Sequence, residues 1–125
     1  DYAICVDETH MSNVVKAYNL KYLVTTLRNS ISASDNGWSA AVCDGNTLYC
    51  GKQYDLHIID RVGGGDSFAS GFLHGITSGM SMEKSLEFAI AAAAIKHTIP
   101  GDINYIKEDE VLALMDSDGS GRVQR

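Results

Sequence analysis

The residues best suited to chemistry in this chain lie in one run, Asp60-Arg61-Val62-Gly63-Gly64-Gly65-Asp66-Ser67-Phe68. Three successive glycines ahead of a helical period expose consecutive backbone N–H groups, with no side chain to keep an anion away. The helix dipole adds roughly half a positive charge at the same point. Amides aimed in this way hold phosphate without Lys or Arg. Asp66 is out of place in a plain anion site, because its charge repels what the glycines attract. It makes sense if its carboxylate takes the proton from a hydroxyl that then attacks phosphorus. The other reading is an ordinary N-cap after a tight turn, and spacing alone leaves both open. No G-K-[ST] follows, so this is not a Walker A loop.

Few other residues offer chemistry. Arg61 is able to pair with a carboxylate on a ligand, or to form a surface ion pair. His10, His57, His74 and His97 never fall at i, i+4, so no zinc spacing is present; each reads as a packed or surface residue. Lys96-His97, at the end of an apolar run, is best placed to face a nucleotide, or else serves as charge at a helix C-terminus. Asp116-Ser117-Asp118-Gly119-Ser120-Gly121 imitates the start of a calcium loop, but the closing Glu at position 12 would fall beyond Arg125. No metal ligand is assigned.

Elements that could position these residues are legible on either side. Tyr2 to Val6 reads as a buried strand. Met11, Val14, Val15 and Tyr18 recur at helical spacing, with Thr9 or Ser12 as N-cap. Tyr22 to Leu27 reads as a strand, Asn29 to Gly37 as a polar loop, and Trp38 to Cys50 as a hairpin about Asp44-Gly45-Asn46. Leu56 to Ile59 is a further short apolar run. From Asp66 the period turns helical: Phe68, Phe72 and Ile76 share a face, and Gly79 closes the segment. Gly71 and Gly75 lie four apart inside it, as expected where another backbone passes close. A helix from Ser81 or Met82 carries Phe88 to Ile95, apolar on every side and so buried all round, and Pro100-Gly101 ends it. A last helix spans Lys107 to Met115. Strands and apolar helices together predict a layered α/β architecture.

Composition narrows the function classes. The chain has 125 residues, 45% hydrophobic and 21% charged, with 12 Gly and one Pro, which suits one globular domain rather than disorder, collagen or coiled coil. Net charge is −6 and the ten basic residues are scattered, so no basic face offers itself to nucleic acid. No apolar run approaches the ~20 residues of a membrane span. Cys5, Cys43 and Cys50 lack CxxC spacing, and two-residue turns at Asp44 to Asn46 pair Cys43 with Asn46 or Leu48 rather than Cys50. All three are expected to be reduced, as in a cytoplasmic protein. A chain opening on a strand is expected to be a portion of a longer one.

The run from Asp60 to Gly71 resembles the C-terminal signature of the ribokinase-like (phosphofructokinase-B) carbohydrate kinases, D-T-x-G-A-G-D-x-F-x-x-G. Its Arg-Val-Gly-Gly-Gly-Asp-Ser-Phe form is similar to the 2-dehydro-3-deoxygluconokinase group within them. Thr25-Thr26-Leu27-Arg28 with Ser32 to Trp38, Lys96-His97-Thr98-Ile99-Pro100-Gly101-Asp102, and the tail from Gly119 to Arg125 agree. The resemblance implies a ribokinase-like α/β fold of which residues 1–125 form the C-terminal, nucleotide-binding and catalytic-base portion, without the N-terminal part and the lid. It implies ATP and Mg2+ as cofactors, a sugar-acid substrate, and phosphorylation of 2-dehydro-3-deoxy-D-gluconate at its terminal hydroxyl in the cytoplasm. Another sugar kinase of fructokinase or ribokinase type, or a non-catalytic phosphate-binding module, stays open. It implies Asp66 as the catalytic base, Gly63, Gly64 and Gly65 as the phosphate cradle, and Thr26, Leu27, Arg28, Gly37 and Ile90 around the nucleotide. Asp102 and Arg61 join Asp66 as substrate contacts. The element N-x-x-E expected after the first strand is replaced by Val6-Asp7-Glu8-Thr9-His10, so Asp7 and Glu8 receive no metal role. A homo-oligomer of the full-length parent is compatible with this family, and the 125 residues alone are expected to be inactive.

Overall fold

The computed structural model describes residues 7–30, 32, 34–101, 103–104 and 106–116. The expected strand over residues 2–6, Cys5, Asp102 and the tail from residue 117 lie outside them.

Every strand pairing among the described residues passes through β2 (Asp35–Cys43). On one side lies β1 (Leu23–Ser30), antiparallel and in register from Leu23↔Cys43 to Ser30↔Asn36. On the other side β3 (Leu48–Cys50) covers one end of β2 and β4 (Tyr54–His57) covers the other. Cys43 pairs with Leu48, one of the two registers expected of the Asp44–Asn46 turn. The Asp44 carboxylate accepts from the amides of Asn46 and Thr47 at 2.9 and 2.8 Å, and Gly45 takes φ +97°, a conformation that suits glycine. Cys43 and Cys50 are both free thiols.

The polar stretch read as a loop from Asn29 to Gly37 is mostly strand. β1 runs through Ser30 and β2 begins at Asp35. Ser32 accounts for the shortness of the turn: its hydroxyl accepts from the amides of Ser34 and Asp35, and its amide donates to the Asp35 carbonyl. Serine hydroxyls that satisfy local amides concentrate a reversal into few residues. The fourth strand lies two residues earlier than expected. Ile58 and Ile59 leave the ladder, and the Ile59 amide donates instead to the His97 carbonyl at 2.9 Å.

Successive side chains of β2 point to opposite faces. Trp38, Ala40 and Val42 belong to the main core, whereas Cys43 joins a smaller one with Met11 and Val15. The smaller core is covered by α1 (Glu8–Ala17), capped by Asp7, whose carboxylate accepts from the His10 amide at 3.1 Å. The expected caps are displaced; Ser12 instead donates to the Gly45 carbonyl.

The main core is closed by α2 (Gly64–Thr77) and α3 (Met82–Lys96), with α4 (Glu108–Met115) against α3. Phe68 meets Trp38 and Phe72 meets Tyr22 edge-to-face, with ring centroids 6.2 and 5.7 Å apart. From Phe88 to His97 every residue is buried, as the unbroken apolar run predicts. That length includes Lys96, for which the sequence leaves open a place facing a nucleotide or a charge at the helix C-terminus. It is fully buried, and its ammonium donates to the Ile99 carbonyl at 2.8 Å. The spacing of Gly71 and Gly75 has the expected cause. A Cβ on Gly71 would stand 2.9 Å from the Ala89 Cα, and one on Gly75 2.8 Å from the Ser85 Cα.

Candidate functional site

Gly63 is the N-cap of α2 and takes φ +80°, a left-handed conformation natural to glycine. No side chain caps this helix start. The Gly64 amide donates to the Arg61 carbonyl at 3.2 Å, and the Ser67 amide opens the helical ladder to Gly63 at 2.9 Å. Between them the amides of Gly65 and Asp66 have no backbone or side-chain acceptor among the described residues. Two unengaged amides at the positive end of a fourteen-residue helix form an anion-binding geometry. Gly65 faces open space, with nothing within 4 Å of where a Cβ would stand.

Gly65→Ala therefore separates folding from ligand binding. In the full-length protein its melting temperature should stay equal or rise, because alanine favours a helix by up to about 1 kcal/mol over glycine. Affinity for ATP should fall as the methyl enters the space an anion would use. Thermal melts and calorimetric titration read the two effects; a wild-type ATP affinity would remove Gly65 from the cradle.

Asp66 is the third residue of α2, not its cap. Its carboxylate is exposed and engages no hydrogen bond or ion pair among the described residues. It stands on the wall of a cavity of about 450 Å3 lined by α2, α3, Asn104, Ile106, Lys107 and Glu108. Ser67, Ser70, Asn104 and Lys107 give this cavity polar groups, and Phe88 gives it an apolar wall. His74 and Glu108, 3.0 Å apart, face each other at its far end. Asn104 is a residue the sequence reading missed. It donates to the Ser67 hydroxyl and the Ala92 carbonyl, while its buried Oδ1 has no partner among the described residues.

The segment leading to the glycines is tied down by Asp60. One carboxylate oxygen accepts from the Val62 amide at 2.9 Å and the other from the Gly101 amide at 2.8 Å. These amide bonds, aided by the Lys96 charge, hold its carboxyl below the usual carboxylate range. Arg61 is exposed on the same segment. Gly101 immediately precedes Asp102, which lies outside the described residues.

The structure draws some of the expected nucleotide residues towards this centre and leaves others apart. Thr26 and Arg28 lie on one face of β1 and Leu27 on the other. Gly37 is buried in β2, opposite Asn29. The Arg28 guanidinium lies 4.9 Å over the Trp38 ring and donates to Asn36 Oδ1 at 3.3 Å and to His97 Nε2 at 2.9 Å. His97 in turn lies beneath Gly64: a Cβ there would stand 2.8 Å from the imidazole Cε1. Arg28 and the glycine turn are thus joined through one histidine. Ile90, by contrast, is fully buried inside α3, its carbonyl accepting from the Trp38 indole at 3.2 Å. It forms part of the wall behind the sheet. The sequence offers Lys96-His97 together as the pair best placed to face a nucleotide, on their position directly after the apolar run from Phe88 to Ile95; the contact of His97 with Arg28 is not foreshadowed there.

Among the described residues, no group of three or more His, Cys, Asp or Glu is placed to hold a metal ion. No helix among them is long and apolar enough to cross a membrane.

Comparison with known proteins places these features in context. The family described as pfkB family carbohydrate kinase matches residues 31–109. The chain is 34% identical over 67 residues to a 2-dehydro-3-deoxygalactonokinase of Haloferax volcanii, covering 54% of this chain and 21% of that protein. It is also 34% identical over 90 residues to a 5-dehydro-2-deoxygluconokinase of Clostridium beijerinckii, covering 64% and 26%. Among solved structures, the 2-dehydro-3-deoxygluconokinase of Thermotoga maritima superposes with a TM-score of 0.85 at 40% identity, over 88% of this chain and 34% of that one. A PfkB family carbohydrate kinase from Listeria grayi gives 0.82 at 31% identity, over 90% and 35%. The chain therefore spans about a quarter of these two curated relatives and about a third of the solved structures.

Proposed function

The chain belongs to the pfkB family of carbohydrate kinases, and from that premise we propose that the protein containing it phosphorylates a sugar acid with ATP. The acceptor is 2-dehydro-3-deoxy-D-gluconate, and the product carries phosphate on the terminal, C6 oxygen. Asp66 takes the proton of that hydroxyl as its oxygen attacks the terminal phosphorus and ADP leaves. The amides of the glycine turn hold the phosphoryl oxygens in transit. Such transfers pass through a loose transition state, so positioning and charge stabilisation supply most of the catalysis. Thr26, Leu27, Arg28 and Gly37 contribute to the nucleotide side, with Ile90 behind them. Arg61 and Asp102 contribute to the sugar-acid side, Arg61 as the partner for the acid's carboxylate. Magnesium would neutralise charge on the nucleotide phosphates; as a hard ion that keeps several waters, it would arrive with them rather than in a cage of protein ligands.

One observation carries this reading. Among the described residues, Asp66 has a carboxylate without a hydrogen-bond or ion-pair partner, two residues beyond a helix start with unengaged amides, beside a cavity of about 450 Å3. A pure phosphate-binding module has no use for a negative charge there. The choice of acid rests on the 40% identity to the Thermotoga maritima enzyme. The two curated relatives above act, by name, on isomeric or related acids, which favours a sugar-acid kinase as a class. A coupled ADP-release assay of the full-length protein tests it against 2-dehydro-3-deoxygluconate, 2-dehydro-3-deoxygalactonate, 5-dehydro-2-deoxygluconate, fructose and ribose. The first should show the highest kcat/KM. A preference for fructose or ribose would overturn the sugar-acid assignment, and ATP binding without turnover on any acceptor would leave a binding module.

A further inference from the structure

We propose that His97 is a positioning residue whose neutral imidazole, with its proton on Nδ1, fixes Arg28 against the floor of the glycine turn and so sets where the transferred phosphoryl group rests. This rests on the kinase reading above. The tautomer follows from donor and acceptor arithmetic. A guanidinium only donates, so the 2.9 Å contact from Arg28 requires a bare Nε2 on His97. The proton must then sit on Nδ1, which lies 2.6 Å from the Ala93 carbonyl and donates to it. A single ring is held at both nitrogens, by β1 on one side and the last turn of α3 on the other.

The same residue touches every part of the turn's foundation. Its ring is the surface that Gly64 packs against, close enough that any side chain there would collide with it. Its carbonyl accepts from the amides of Ile59 and Asp60, at 2.9 and 3.2 Å, where the chain approaches the glycines. Trp38 of β2 flanks it with ring centroids 5.1 Å apart. Moving His97 would therefore shift the approach segment, the first residue of α2 and the Arg28 charge together. A displacement of ~1 Å at a reacting group costs about 10²-fold in rate.

The surroundings of the ring disfavour its protonation. Among the described residues, the charged groups that face the ring are Arg28 from β1, Lys96 from α3 and Arg61 from the approach segment, all cations; β2 offers the neutral Trp38. Burial first, then these cations, push the imidazole below its ordinary value, opposed only by the Ala93 carbonyl. The shift favours the neutral ring, the form that the Arg28 contact requires.

The test uses the full-length protein labelled with 15N-histidine. One imidazole, identified by its loss in His97→Gln, should show protonated Nδ1 and bare Nε2, unchanged between pH 6 and 8. His97→Gln, which keeps an acceptor for Arg28, should hold kcat within about 3-fold of wild type. His97→Phe, which keeps a ring and loses the acceptor, should lower kcat by at least 10-fold at saturating ATP, assayed where the variant is folded. An Nε2-protonated or imidazolium signal at pH 7 would overturn the proposal. So would wild-type kcat in His97→Phe, or, if that variant does not fold, a 10-fold loss in folded His97→Gln. A wild type inactive on every acceptor would sink the kinase reading and this inference together, whereas an active wild type beside an unaffected His97→Phe would sink the inference alone.

Discussion

Asp66→Asn in the full-length protein should lower kcat by about 10²–10⁴-fold, the usual contribution of a general base, and leave the affinity for ATP within a few-fold. Asparagine has the same shape and stays polar, so the exposed third position of α2 accommodates it. No internal hydrogen bond or ion pair is lost with the carboxylate among the described residues. What changes is the capacity to take a proton. Removing a negative charge beside the anion-binding amides should, if anything, tighten nucleotide binding, because the carboxylate repels phosphate. Stability should drop only by the interaction of an acidic side chain with the helix dipole, about 0.3–1 kcal/mol. Steady-state kinetics with calorimetric ATP titration separates these effects. Retained turnover per bound ATP would show that Asp66 is not the base.

Gly75→Val should produce a large loss of stability. Propensity alone points the other way, since nearly every residue favours a helix more than glycine does. The geometry reverses the sign. Even a first methyl at position 75 would stand 2.6 Å from Ser85 Oγ, 2.7 Å from its Cβ and 2.8 Å from its Cα. A side-chain tip can swing away, but the backbone of α3 at the fully buried Ser85 cannot. Overpacking of this kind costs typically 1–3 kcal/mol and sometimes more, and valine adds two further methyls. A loss of at least about 3 kcal/mol in the full-length protein, read as a lower urea midpoint with an unchanged slope, is expected. The alanine at Gly65, where nothing stands within 4 Å, serves as the control. If both variants lost equally, close helix contact would not be the reason for Gly75.

What the sequence disclosed, and what it withheld, follows the range over which each interaction acts. The start of α2 was legible because three glycines and a change of period are local facts, and Gly79, at φ +85°, ends the helix as expected. The burial of α3 was legible because its apolar run has no polar side. The turn between β1 and β2 was overestimated because a Ser- and Asn-rich composition signals a reversal without giving its length, which Ser32 sets through two amide bonds. His97 was the hardest to read. Its partner Arg28 stands 69 positions away, and no local pattern reports a contact made only when β1 and the end of α3 meet. Lys96 misled for the same reason, since a charged residue at a helix end is ordinarily exposed and this one is enclosed by tertiary packing.

The strand arrangement gives the sheet a direction of growth. On one flank of β2, the three residues of β3 and the four of β4 are separated by Gly51, Lys52 and Gln53, so that border is too short and too broken to template another ladder. Interrupted borders of this kind resist edge-to-edge aggregation. The opposite flank is β1, eight residues without a break and paired on one side only among the described residues. Any strand added to this sheet, whether supplied by the rest of the polypeptide or by a stray neighbour, has its uninterrupted docking edge at β1. When the remainder of the protein is missing or slow to arrive, β1 is the border along which unwanted association should begin.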